Sequence, residues 1–494
     1  MSEIFTYKVA GSLAVLDICV LVAAVSLLLV IAYFAGRKEG DTADFFLGKR
    51  SVPMIIACLS FVATEVSAVT LISVPAVGYS ENWQYLQFFV GSAAARIFVA
   101  FLFIPVFYHH NCTSIYEFLR HRFGSQTQCA GSIFFFITRL IGSGVRLYAA
   151  CLAISFIMNW PLAMALLVFM PISIAFIGFG GIKAVVWSGA YVAIIFYSVG
   201  IVLIAYLFTH IGASFHQIWQ AADDAGRLSV FNFKFNLNDP TTFWAGTANA
   251  FFIGLAVFGT DQELVQRLLT VDTRKTSQKA IISTIFASLP ITIIYLSVGT
   301  LLFAFYKFNP TIVAPEETKK VLLHFVANIL PLGLKGLILT AVVFASIDMP
   351  LASLATSFVT DIYRPLINRT ASEKHYLLVS RFGVAAFGLI LALIAFACQP
   401  VRTILWFAFQ VVSITGGATL GIFLFGILTK PVTDDQQKVI SNNLSNIIAM
   451  TASSLCMATL LILSELKIVP LAWSWIIVFG TILTFTLAYV LRRI

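Results

Sequence analysis

Residues 58–79 read CLSFVATEVSAVTLISVPAVGY, a run long and apolar enough to cross a lipid core of roughly 30 Å, which takes about 20 helical residues. Yet the run also carries Glu65, hydroxyls at Ser60, Thr64, Ser67, Thr70 and Ser73, and Pro75. Proline donates no backbone hydrogen bond, so the Leu71 carbonyl loses its helical partner. An ionised carboxylate at mid-membrane costs about 2.5–3.5 kcal/mol on insertion scales and must face protein or a wet cavity. The run therefore predicts an interrupted helix beside a cavity, because broken helices survive at membrane depth only there, where their loose carbonyls hold ions and solutes.

The rest of the chain agrees. Of 494 residues, 60% are hydrophobic and 11% charged, with a mean hydropathy of +0.94, against roughly 45–50% apolar and about 25% charged in soluble domains. This excludes a water-soluble globule and a disordered chain. The net charge of +9 comes from 31 Lys and Arg that form no basic stripe, which excludes a nucleic-acid partner. Seven cysteines without a CxxC spacing read as isolated buried thiols. His109 and His110 lack the HExxH spacing or nearby cysteines of a zinc site, so an enzyme is not expected and no cofactor is implied.

Apolar stretches fall at 15–36, 53–79, 83–108, 129–158, 161–179, 184–210, 243–262, 279–306, 336–363, 376–398, 402–428, 440–465 and 470–491, predicting an all-α polytopic membrane protein of about 13 transmembrane helices. Lys and Arg concentrate about twofold on one set of loops, which places the N-terminus outside and the C-terminus in the cytoplasm of a plasma (inner) membrane. Neither long connection, 211–242 or 307–335, suffices for a separate domain, so 1–494 reads as one transmembrane domain with no obligate protein partner inferred.

Two further groups should not lie in a membrane without a purpose. Arg139 and Arg146, in ITRLIGSGVRLYAA, are about two helical turns apart on one face with Ser143 between them. They read either as a cradle for an anion or polyol or as structural partners of Glu65 or Asp348. In FASIDMPLAS, 344–353, Pro350 frees the Ser346 carbonyl, so a carbonyl, a hydroxyl and the Asp348 carboxylate stand together as hard oxygen ligands for a small cation. The competing reading is a proline kink beside a neutralised acid. Asp17 and Arg381 lie near span ends, where snorkelling accounts for them.

Seven motifs in order, DFFLGKRSVP (44–53), ATEVSAVTLISVPAVGY (63–79), TSIYEFLRHRFG (113–124), GGIKAVVW (180–187), GTDQELVQRLL (259–269), LASLATSFVTDIYRP (351–365) and GATLGIFLFGIL (417–428), resemble the sodium/solute symporter family. The resemblance implies a LeuT-like 5+5 inverted repeat with an extra N-terminal helix. The extra helix falls at 15–36, the first repeat at 53–210, the second at 243–428 and peripheral helices at 440–491. It implies sodium-coupled import of a small organic solute, such as a sugar, sialic acid or carboxylate, by alternating access. Its sodium site falls on the carbonyls of Ala63 and Val66 and on Val342, Ala345 and Ser346. Family members usually have adjacent hydroxyl residues at the last two positions, and Asp348 stands one turn beyond Ala345 as a replacement. Proton coupling is the alternative. Positions of a further sodium site carry Ser188, Gly189 and Val192, which implies one coupling ion. The solute pocket maps to Glu65, Val69, Thr70, Gln87, Ser143, Arg146, Phe258, Asp261 and Gln410, with Arg139 beside them. Gln266 and Arg267 are expected to be structural. A transport-inactive solute sensor or assembly subunit is the competing reading, motivated by Ala345 and Gly189.

Overall fold

A computed structural model describes residues 14–37, 41–158, 160–236, 238–347, 350–398, 404–429 and 436–492, and the side chains within them except at 68–69, 156–157, 179, 319, 346–347, 404–411 and 436–442. The described residues are helical with no strand. In chain order the main helices are α1 (Val15–Gly36), α2 (Met54–Glu65), α3 (Ala68–Ser80), α4 (Trp83–His109), α5 (Ser125–Met158), α6 (Leu162–His210), α7 (Phe243–Gly259) and α8 (Gln262–Leu269). They continue as α9 (Arg274–Phe308), α10 (Leu334–Ile347), α11 (Leu351–Ser357), α12 (Glu373–Ala397), α13 (Ile404–Leu428), α14 (Gln436–Glu465) and α15 (Ile476–Leu491).

Eight helices are long and apolar enough to cross a membrane, and ten spans result if two bent helix pairs each count as one. The pairs are Thr42–Arg50 with Met54–Glu65, bent by 111°, and α7 with α8, bent by 59°. Of three shorter apolar helices, Leu162–Gly178 and Val412–Leu428 fall within the predicted spans 161–179 and 402–428, and Leu334–Ala345 overlaps the predicted span 336–363. The predicted fifth and sixth spans lie on the two sides of a sharp break in α6 at Gly181 (φ 47°, ψ −152°), a conformation open to glycine alone at no steric cost.

The interruption predicted in 58–79 is present, but Pro75 does not make it. Helix α2 stops at Glu65, Val66 is extended (φ −85°, ψ 101°), and Ser67 caps α3, within which Pro75 sits. The Ser67 N–H donates to Thr70 Oγ1 (3.4 Å), so the Ala63 carbonyl loses the donor that a continuous helix would give it. The local competition of Ser and Thr side chains for backbone groups thus breaks the helix nine residues before the proline.

Asp17 is not a snorkelling acid. It is fully buried, and its Oδ1 accepts from the backbone N–H groups of Gly333 (2.7 Å) and Gly336 (2.8 Å), fastening α1 to the N-terminus of α10. At its other end α1 meets α6 through Gly36 and Gly180, where an added Cβ would strike backbone. Asp361 is likewise buried and accepts from Ser114 (2.7 Å), Ser132 (2.6 Å) and Gln128 (2.8 Å), tying the motif 351–365 to the segment 113–124 and to α5.

Helices α3 and α9 approach at Gly78 and Gly299, where a Cβ on Gly299 would collide with the Pro75 carbonyl oxygen. Gly299→Val will therefore force the two helices apart and lower stability by about 1–3 kcal/mol, the usual cost of overpacking. A thermal melt followed by size-exclusion chromatography reads this directly; an unchanged midpoint would mean that the contact is not close.

Candidate functional site

The broken helix opens onto a cavity of about 20 Å³, lined by Ala63, Thr64, Val66 and Ser67 of the break, Ser143, Arg146 and Leu147 of α5, Val192 and Phe196 of α6, Glu263 of α8, Ala345 of α10 and Pro350. That volume takes one water-sized sphere. Three of the expected sodium-site positions, Ala63, Val66 and Ala345, thus share one cavity, and Pro350 lines it too. Val342 is buried in the core and is not part of this lining. Asp348 lies outside the described residues, as do the side chains of Ser346 and Gln410.

The acids and arginines pair differently from the sequence expectation. Glu65 does not meet Arg139 or Arg146. Its carboxylate takes both contacts from Arg96 Nη2 (2.6 and 2.5 Å) and one from Ser288 (2.7 Å). Arg96 is wholly buried, donates to Thr284 (3.0 Å) and Ser92, and lies 4.3 Å over the ring of Phe258. Glu65 and Phe258, two expected solute residues, are therefore joined through a third residue, Arg96, to which the sequence reading gave no role.

Arg139 is held by two carboxylates across the bend between α7 and α8. Its Nη2 is 2.5 Å from Asp261 Oδ2 and its Nη1 is 2.8 Å from Glu263 Oε2. Asp261 caps α8 by accepting the Glu263 N–H (2.9 Å). All three side chains are buried, so this ion triad is shielded from solvent screening. Arg139 is thus a structural partner of acids in this conformation, though of Asp261 and Glu263 rather than of Glu65. Arg146 and Ser143 face the cavity, and the Ser143 hydroxyl is buried without a hydrogen bond.

Glu263 is the residue that sequence reasoning missed. It sits in GTDQELVQRLL past the 59° bend, where it lines the cavity while its Oε2 pairs with Arg139. An acid two residues after a helix cap, beside a broken helix, was the available signal. The neighbours in that motif are structural: Gln266 donates to the Phe46 carbonyl (2.7 Å) and Thr356 (2.9 Å), and buried Arg267 donates to Ser60.

Two more expected solute residues are engaged within the protein. Gln87 is buried, donates to the Thr241 carbonyl and accepts from the Asn232 N–H (3.2 Å), so it clasps the 211–242 connection. Thr70 serves the cap of α3. At the position of the further sodium site, Gly189 leaves room that Ser60 and Arg267 fill, and Ser188 bonds back to the Ala184 carbonyl (2.7 Å).

A family model described as the sodium:solute symporter family matches residues 45–435. The chain is 26% identical over 429 residues to the sodium/sialic acid symporter NanT of Aliivibrio fischeri, covering 85% of this chain and 84% of that protein. It is 27% identical over 404 residues to the sodium-coupled monocarboxylate transporter 2 of Danio rerio, covering 79% of this chain but only 64% of the relative's length. Among solved structures, it matches a Na+-coupled sialic acid symporter in a substrate-bound outward-open state, with a TM-score of 0.85 at 21% identity over 97% of this chain and 98% of that one. The fold is therefore LeuT-like, and these relatives are transporters rather than enzymes. With the match running from the first motif through the eleventh predicted span, the chain belongs to the sodium:solute symporter family.

Proposed function

We propose that the protein is a sodium-coupled symporter that imports a small organic solute, of the sugar, sialic acid or carboxylate class, by alternating access. The observation that carries this reading is the cavity itself. A helix broken at Val66 and Ser67 lines, together with Ala345 and Glu263, a space the size of one water-sized sphere. Carbonyl and carboxylate oxygens are the ligands a hard cation needs. The sodium set in this reading is the Ala63 and Val66 carbonyls, Ser346 and Asp348, with Glu263 added and Ala345 lining the space. The solute lies beside it, near Glu65, Arg96, Phe258, Ser143 and Arg146. One cation entering down a potential contributes about 2.3 kcal/mol per 100 mV, roughly a 40-fold solute gradient at about 1.4 kcal/mol per tenfold.

In the same reading the repeats 53–210 and 243–428 rock against each other, the N-terminus faces outside, and the chain sits in a plasma membrane without an obligate protein partner. The nature of the relatives supports the solute classes. The test is uptake into proteoliposomes of radiolabelled N-acetylneuraminate, lactate and glucose, under an inward gradient of sodium and then of choline. At least one probe is expected to accumulate with sodium and to fall at least tenfold without it. Uptake indifferent to sodium and to pH would overturn the proposal. Sodium-dependent thermal stabilisation by a probe, with no counterflow of it, would favour the sensor.

A further inference from the structure

A second, open cavity of about 950 Å³ lies between the segment 41–46, the end of the 351–365 motif, the start of α12, the segment 113–124 and the start of α5. No residue of the break or of the α7–α8 bend lines it. Arg120, Arg364 and Arg369 do, and among the described residues none of the three is in an ion pair.

Three acids, Asp41, Glu117 and Glu373, line the same cavity, and each is bonded within the protein. Glu117 accepts the backbone N–H groups of Thr113 (2.6 Å) and Ser114 (3.3 Å), and Glu373 accepts the Thr42 hydroxyl (2.5 Å). Asp41 caps Asp44 (2.7 Å) and stands 3.7 Å from Lys49. The arginines retain donors. Arg369 spends only its Nε, on the Pro365 carbonyl (2.7 Å), Arg364 lies 5.1 Å over the Tyr376 ring, and Arg120 has no side-chain bond among the described residues. Guanidinium forks select tetrahedral oxyanions.

We propose that this cavity binds a phosphate group, presented by an anionic lipid headgroup or as a free phosphate, and that Arg120, Arg364 and Arg369 hold it. The cavity lies at the ends of helices, and its volume is in the range of small-ligand pockets. It is separate from the cation cavity, so its occupant regulates or steadies the protein rather than being transported.

Purified wild type and the Arg120→Gln, Arg364→Gln, Arg369→Gln triple variant are compared in two arms. In nanodiscs, phosphatidylglycerol in place of phosphatidylcholine is expected to raise the melting midpoint of wild type by several degrees and to leave a lipid adduct in native mass spectrometry. In detergent, 10 mM inorganic phosphate against equal chloride reads the free anion. A shift in either arm that is lost in the triple variant supports the site and names its source. No shift in both arms, or one equal in the triple variant, overturns it. Should the triple variant fail to fold, Arg120→Gln alone decides: a shift reduced at least twofold supports the site, and an undiminished one overturns it.

Discussion

Arg139→Gln is expected to lower the stability of the folded protein by about 3–5 kcal/mol, the cost of leaving a buried charge without its partner. Two carboxylates, Asp261 and Glu263, converge on this one guanidinium, and both are buried. Removing the cation leaves two like charges close together, and each will take up a proton or draw in water. Because Asp261 also caps α8, the disturbance falls on the bend between α7 and α8 and on Glu263, which lines the cavity. Neutralising all three groups together, with Arg139→Gln, Asp261→Asn and Glu263→Gln, should recover much of the loss, since a missing ion cluster is cheaper than a broken one. Thermal unfolding of the purified variants measures both. A single variant as stable as wild type would show the triad to be wetter than its burial indicates.

Glu65→Gln is expected to have an effect of similar size on stability and a larger one on transport. It deprives the fully buried Arg96 of its counter-ion, while Ser92, Thr284 and Ser288 retain only neutral contacts with it. Arg96→Gln added to Glu65→Gln removes the stranded charge and should return most of the melting temperature. Uptake should stay at least tenfold below wild type in both variants, because the pair stands beside the helix break and against Phe258. Uptake recovering together with stability would assign the pair to helix packing alone.

Much of this protein is written in one dimension. The apolar runs at 15–36, 83–108 and 376–398 each appear as a helix long enough to span, because a bilayer asks only for length and hydropathy. The interruption after Glu65 was legible from its hydroxyls and acid. Its mechanism was misread, since proline is the visible helix breaker whereas here Ser67 and Thr70 redirect the backbone and Pro75 rides inside α3. Asp17 lies at a span end as expected but is buried rather than snorkelling, because its two glycine N–H donors come from more than 300 residues away.

The sequence by itself determined that the chain is helical, membrane-spanning and interrupted in its second predicted span, and its motifs determined the family. All of these follow from local hydropathy, backbone chemistry and residue order. Only the tertiary structure decided which polar group meets which: Glu65 with Arg96, Arg139 with Asp261 and Glu263, Gln87 with the 211–242 connection. Several acids and arginines of similar apolar surroundings are interchangeable on paper. In a low-dielectric interior each must find a partner within a few ångströms, and helix packing alone sets which partners come that close.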